Sequence, residues 1–282
     1  MQRLVTIQDV RAWVADVRRR DERVALVPTM GALHDGHLSL VDVARRHADR
    51  VVMSVFVNPL QFAPTEDLAR YPRDPEGDAA KAAARGVDLV WMPAAGELYP
   101  RDPRVLVQPS ALADRWEGAV RPGHFAGMLT VVLKLFNVVQ PDVAVFGQKD
   151  VQQAALVSAM VEDLNVPVSV LVAPIVREAD GLAMSSRNRF LAASERPRAL
   201  VLQAALQAMD DAFISGERDA GELVTAGRRA FDSAPDVAID YLAVVDPRTL
   251  EPVPRAERGS VALVAARVGA TRLLDNTILG GA

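Results

Sequence analysis

Five short apolar runs, Val24 to Val27, Val51 to Val57, Val87 to Met92, Val143 to Phe146 and Val168 to Val172, set what this chain can become. Between them, the stretches Leu38 to Ala48, Glu76 to Arg85, Gly123 to Val139 and Val151 to Leu164 repeat apolar residues at three- and four-residue spacing, the period of a helix. Valine-rich strands that do not alternate with polar residues are covered on both faces, which requires a parallel sheet with helical crossovers. The expected fold is therefore α/β, a doubly wound Rossmann-like sheet. Ligands of such sheets collect at the carboxyl ends of the strands. After about Pro174 the rhythm changes to two helical stretches, Arg196 to Ser215 and Ala220 to Phe231, and two strand-like runs, Ile239 to Val245 and Ser260 to Arg267. This predicts a nucleotide- and substrate-binding domain over 1–175 and a smaller α+β domain over 176–282.

Composition narrows the partners. The net charge is −4 and aromatic residues make up 5% of 282 residues, so the chain advertises neither a basic stripe nor a stacking surface for nucleic acid. A small polar metabolite is the expected ligand. Cysteine is absent, which removes disulfides, thiolate nucleophiles and cysteine-bound zinc. Met1 to Thr6 leads into an amphipathic stretch rather than the apolar block of a signal peptide, and no apolar run reaches membrane-spanning length. A cytoplasmic protein that binds no membrane is expected.

The chemistry concentrates in three clusters. The first, Gly31-Ala32-Leu33-His34-Asp35-Gly36-His37-Leu38, directly follows the first strand and holds two of the four histidines. Gly31 permits a tight turn, Asp35 is the expected cap of the next helix, and Gly36 lets a ligand approach the main chain. Helix-start amides with two imidazoles beside them form a phosphate clamp, and the backbone edge at Pro28-Thr29-Met30 can line an adenine pocket. A zinc site built on His34 and His37 lacks a third ligand. A P-loop fails because His37 and Leu38 stand where Lys and Ser or Thr belong, and a dinucleotide fingerprint fails for want of glycines.

The second cluster, Gly147-Gln148-Lys149-Asp150, stands at the exit of another strand, where Lys149 points an ammonium toward phosphate oxygens. The third, Met184-Ser185-Ser186-Arg187-Asn188, gathers two hydroxyls and a guanidinium in a loop, a combination suited to a triphosphate. Any one cluster alone reads as an ordinary turn or cap, whereas three together read as a site. Asn58 and Gln61, after the second strand, and Gln153, on a later helix, offer neutral amides for hydroxyl or carboxylate oxygens. Arg121, in Arg121-Pro122-Gly123-His124-Phe125, is a candidate carboxylate holder, and His124 a candidate helix cap.

In these motifs, together with Phe56-Val57-Asn58-Pro59-Leu60-Gln61-Phe62, Tyr71-Pro72-Arg73 and Gly147 through Gln153, the chain resembles the pantoate–β-alanine ligases over nearly its whole length. That family belongs to the nucleotidylyltransferase superfamily with the His-x-Gly-His signature. The resemblance implies ATP-dependent condensation of pantoate with β-alanine to pantothenate, AMP and pyrophosphate through a pantoyl adenylate, with Mg²⁺ and a homodimer. It assigns ATP to Met30, Gly31, Ala32, Leu33, His34, Asp35, Gly36 and His37, to Gly147, Gln148, Lys149 and Asp150, to Val176, and to Met184, Ser185, Ser186 and Arg187. It gives His37 the role of proton donor, with His34, Lys149, Ser185 and Arg187 stabilising charge. Gln61 and Gln153 match pantoate-binding glutamines, with Gln61 also meeting β-alanine. Many relatives carry Glu where Gln148 stands, and the acidic segment Asp74-Pro75-Glu76-Gly77-Asp78 departs from the family pattern, so no residue is assigned to the metal. The second domain, hinged after Ile175, is expected to act as a lid over the reactive intermediate. Two other functions fit the same clusters: a nucleotidylyltransferase acting on a phosphorylated metabolite, and a non-catalytic nucleotide sensor.

Overall fold

The computed structural model describes residues 1–62, 68 and 71–281. The chain forms two compact units, one made of Met1–Gly147 with Gln152–Pro174, the other of Gln148–Val151 with Ile175–Ala282. The expected division into 1–175 and 176–282 puts Gln148–Val151 with the first domain, whereas these four residues group with the second unit.

In the first unit the order is β1 (Gln2–Leu4), α1 (Ile7–Arg19), β2 (Val24–Thr29), α2 (Asp35–Arg45), β3 (Arg50–Val55), α3 (Pro75–Ala84) and β4 (Leu89–Trp91). There follow α4 (Ala95–Leu98), α5 (Glu117–Val120), α6 (His124–Val139), β5 (Val143–Gly147), α7 (Val151–Asp163) and β6 (Ser169–Ala173). The strands form one parallel sheet ordered β1-β4-β3-β2-β5-β6. The doubly wound α/β fold is thus present. The strand order reverses at the β2–β5 neighbour pair, where Ala25 faces Val143 and Leu26 faces Ala144. This is the topological switch point at which such sheets bind ligands, and the first two clusters follow its two strands directly. The continuous Val and Leu run of β2 is explained by burial on both faces, with Val24 through Val27 fully enclosed.

Two differences from the sequence reading have plain causes. The edge strand β1 pairs with β4, but its Gln2 and Arg3 are exposed, so no apolar run announces it. The helix expected from Leu38 begins at Asp35, because its first turn is built from motif residues rather than apolar ones.

The second unit contains α8 (Arg196–Ala199), α9 (Val201–Ile214), α10 (Ala220–Ala230) and the antiparallel sheet β7 (Ala238–Val245), β8 (Val261–Val268) and β9 (Thr271–Ile278). Leu202, Leu206, Met209 and Leu223 of α9 and α10 share a core with Leu242, Val264 and Leu273 of the sheet. The single helix expected over Arg196 to Ser215 is broken at Leu200, whose N–H bonds the Pro197 carbonyl three residues back at 3.3 Å. The third strand, β9, has no counterpart in the sequence reading. Its burial includes Asp275 and Asn276, polar residues that interrupt the apolar pattern. Among the described residues no helix is long and apolar enough to cross a membrane.

Candidate active site

The first cluster is shaped by backbone strain and by one buried carboxylate. Gly31 and Ala32 both adopt left-handed conformations, with φ of +85° and +51°. A Cβ at Gly31 would lie 2.8 Å from Asp78 Oδ2, so the turn needs glycine on both counts. Asp78, on α3 and almost fully buried, accepts from the amides of Ala32 at 2.9 Å and Leu33 at 2.7 Å. Lys81, one turn later on α3, donates to the Leu33 carbonyl at 2.8 Å. These bonds hold an unfavourable conformation of Ala32 in place.

The turn delivers His34 and His37 together. His34, with φ −133° and ψ 173°, is the N-cap of α2, and its carbonyl accepts from His37 N at 2.8 Å and Leu38 N at 3.1 Å. Asp35 is the first helical residue, so the expectation that it caps α2 is corrected: the extended residue is His34, one position earlier. The two imidazoles stack with centroids 4.0 Å apart. The His34 amide donates to His37 Nδ1 at 3.4 Å, which places the proton of a neutral His37 ring on Nε2. Both rings stand at the amino end of α2, where amides and dipole favour an anion.

The segment after β3 is held by α6. Gly127, in the first turn of that apolar helix, lies so close to the Leu60–Gln61 peptide that a Cβ would come within 2.1 Å of the Leu60 carbonyl oxygen. A glycine within an otherwise apolar helical run was the available sign of such an approach. His124 Nδ1 meets the Gln61 carbonyl at 2.8 Å and its Nε2 lies 3.1 Å from Arg121 Nη1, while Arg121 Nη2 donates to the same carbonyl at 3.4 Å. A carbonyl only accepts, so His124 carries its proton on Nδ1 and accepts from Arg121 on Nε2. Gly123, not His124, caps α6, which corrects the capping role expected for that histidine.

Asn58 and Gln61 differ in what they have left to offer. Asn58 donates both N–H bonds, to Gln61 Oε1 at 3.1 Å and to the Gly127 carbonyl at 3.0 Å. Its oxygen accepts from Leu60 N at 3.3 Å and from the Tyr99 hydroxyl at 2.9 Å. Burial pushes the Tyr99 phenol well up, so it stays a donor. With two donors and two lone pairs all engaged and the side chain buried, Asn58 orients Gln61. Gln61 directs one N–H to Met30 Sδ, at 3.1 Å, and one lone pair to Asn58, and so keeps half its amide capacity for a ligand. Arg121 is brought to the Gln61 backbone. Gln153 lies half-buried in the first turn of α7, with no hydrogen bond to Gln61.

The second unit brings the other two clusters to one concavity, lined among others by Lys149, Ser185, Arg187, Asn188, Arg272 and Asp275. Gln148–Asp150 form a 3-10 turn, and Lys149, largely buried, lies 3.7 Å from the Asp150 carboxylate. The loop before the third cluster is a small hairpin, with Arg177 bridged to Ala183 and the Met184 amide donating to the Val176 carbonyl at 2.9 Å. Ser185 caps the short 3-10 helix Ser186–Phe190, its Oγ accepting from Arg187 N at 3.2 Å. Accepting through the oxygen leaves the hydroxyl proton to be donated. Asn188 ties the loop back to Glu178 at 2.6 Å and to the Ala183 carbonyl at 3.0 Å, and Arg196 pairs with both Glu178 and Asp180.

Three comparisons give this arrangement a context. A family model described as pantoate-beta-alanine ligase matches residues 2–278. A pantothenate synthetase of Acidobacterium capsulatum is 50% identical, over 99% of this chain and 97% of that protein, and one from Moorella thermoacetica is 50% identical over 99% of both. Among solved structures, pantothenate synthetase from Thermus thermophilus superposes with a TM-score of 0.94 at 47% identity, covering 99% of each chain. Pantoate-beta-alanine ligase from Francisella tularensis, complexed with beta-gamma ATP and beta-alanine, gives 0.82 at 29% identity, covering 100% of this chain and 99% of that one.

Proposed function

The chain belongs to the pantoate–β-alanine ligase family, and from that premise we propose how its residues divide the work of making pantothenate from pantoate, β-alanine and ATP. A carboxylate and an amine at neutral pH form only a salt, because oxide is too poor a leaving group. The acid is therefore activated first. The pantoate carboxylate attacks the α-phosphorus of ATP, the bond to the bridging oxygen breaks, and pyrophosphate leaves, giving pantoyl adenylate. The β-alanine amine then attacks the acyl carbon, loses a proton, and displaces AMP. No protein nucleophile takes part.

In this reading ATP is held by Met30 through His37, Gly147 through Asp150, Val176 and Met184 through Arg187. His37, with its proton on Nε2, donates to phosphate oxygens as charge moves toward pyrophosphate, and His34 stacks behind it. Lys149, Ser185 and Arg187 follow the same charge from the second unit. Gln61 and Gln153 hold pantoate by neutral amides, Gln61 also meets β-alanine, and Arg121 steadies the Gln61 backbone. Holding the amine against the acyl carbon supplies about 7 to 11 kcal/mol in well-oriented cases. Mg²⁺, when bound with ATP, would supply counter-charge to its phosphates. Among the described residues no group of three His, Asp or Glu is placed to hold a metal, and both Asp78 oxygens are engaged by amides. The second unit closes as a lid during adenylate formation, and the working enzyme is a cytoplasmic homodimer.

The observation that carries this reading is the gathering of Lys149, Ser185 and Arg187, distant in sequence, around one concavity. Incubation with ATP, Mg²⁺, pantoate and β-alanine should yield AMP and pantothenate in equal amounts. ADP in place of AMP would refute the adenylate route. Hydrogen exchange across Met184–Asn188 tests the lid: ATP with pantoate should slow it, and unchanged exchange would remove that role.

A further inference from the structure

We propose that Asp275 and Asn276, consecutive residues of β9, are positioning residues that hold Lys149 and the Ser185–Arg187 loop as one polyphosphate-binding set. Asn276 is nearly fully buried, and its amide is engaged by the turn that carries Lys149. Nδ2 donates to the Gln148 carbonyl at 2.9 Å and to the Lys149 carbonyl at 3.0 Å, while Oδ1 accepts from Gln148 Nε2 at 3.1 Å. Two adjacent carbonyls can be bound this way only by a group with two N–H donors. The third bond depends on Gln148 being an amide, since an ionised carboxylate there has no proton to give. These bonds explain why Gln148–Val151 group with the second unit although β5 and the rest of α7 belong to the first.

Asp275 does the corresponding work for the other loop. Its carboxylate makes a two-point pair with Arg177, 2.7 Å to Nη1 and 3.2 Å to Nη2, and accepts from Asn276 N at 2.8 Å. Arg177 also donates to the Gly181 carbonyl at 3.1 Å, so the pair fastens the hairpin whose end carries Ser185 and Arg187. Burial pushes the Asp275 carboxyl up, and Arg177, the Asn276 amide and Lys149 oppose it. A buried carboxylate is kept charged only by such partners, so Asp275 and the cations around it depend on one another. Asp275 lines the same concavity as Lys149, Ser185 and Arg187. Successive residues of a strand point to opposite faces, so one step of β9 serves both loops and fixes their spacing.

The proposal rests on Lys149 and Arg187 binding ATP, and the test separates the two ideas. Melting temperature, kcat, and KM for ATP and for pantoate would be measured for Asn276→Ala, Asp275→Asn, Lys149→Ala and Arg187→Ala, and for the pairs N276A/K149A and D275N/R187A. N276A and D275N should each raise KM for ATP about tenfold, the equivalent of one or two lost hydrogen bonds, without changing KM for pantoate. In the paired variants they should add little, because the group they position is already gone. Wild-type ATP kinetics in K149A and R187A would overturn the site reading and this inference with it. Impaired K149A and R187A beside folded N276A and D275N with wild-type KM for ATP, with equal damage to both KM values, or with effects that multiply in full in the pairs, would overturn the positioning roles alone. If N276A does not fold at the assay temperature, the D275N/R187A arm decides.

Discussion

The two groups of residues proposed to meet the phosphates of ATP are held in place by different means. In the first unit, Gly31 through His37 is a single turn, strained at Ala32 and fastened by one carboxylate, Asp78, from the next helix. In the second, Lys149 and the Ser185–Arg187 loop lie in turns with their own local bonds and are fastened in addition by a strand that follows Lys149 by more than a hundred positions. A turn that carries its own glycine and its own helix start can be recognised from its own residues. One that is shaped from a distance gives itself away only through the residues it presents.

The contrast predicts where damage will fall. His37→Ala should lower turnover about 10²- to 10³-fold, the usual cost of a donor to developing charge, while the melting temperature hardly moves. A parallel fall in stability would mean that the ring is structural. Asp78→Ala should affect both properties. It strands two amides of the turn, costing about 2 to 4 kcal/mol of stability, and loosens His34 and His37, so thermal melting and KM for ATP should worsen together. Normal ATP binding in a folded D78A protein would show that the turn shapes itself without help.

Legibility in the sequence divides along the same line. Val24 to Val27 running into Gly31 announces a strand, a turn and a helix start, and the structure places β2, a left-handed Gly31 and α2 there. The cap differs by one residue because Asp35 has the better side chain for the role, but His34 has the extended backbone. Asp78 reads only as part of an acidic segment, since nothing local shows that its partners are amides some 45 positions earlier. Asn58 and Gln61 look equivalent in sequence. Only the filled valences of Asn58 separate the residue that orients from the residue left able to bind. β9 is hidden because Asp275 and Asn276 break its apolar run, and these are the residues that fasten the second group.

Smaller effects sharpen the comparison further. Gly127→Ala pushes a methyl into the Leu60 carbonyl and should cost about 1 to 3 kcal/mol, with KM for pantoate rising through a displaced Gln61 while KM for ATP changes less. Calorimetry and steady-state kinetics on one preparation would check both. The smallest effect belongs to the amino ends of the strands, opposite the turn that carries His34 and His37. There Arg50 and Arg20 pull the Glu22 carboxyl from 4.5 to about 2. A lowered folded-state value means that this contribution is complete above pH 4.5 and fades as pH falls toward 2. Glu22 and its arginine partners are partly exposed and their pairs are screened, so Glu22→Gln should leave neutral stability and activity unchanged and slightly flatten acid unfolding. A clear loss at pH 7 would contradict that.

The most direct test is exchange of labelled pyrophosphate into ATP without β-alanine, followed in the wild-type protein and in K149A. Exchange that depends on pantoate, proceeds without the amine and is nearly abolished in a K149A protein of unchanged melting temperature is the predicted result. Exchange that requires β-alanine, or that runs at the wild-type rate in K149A, would contradict an adenylate formed with help from the second unit.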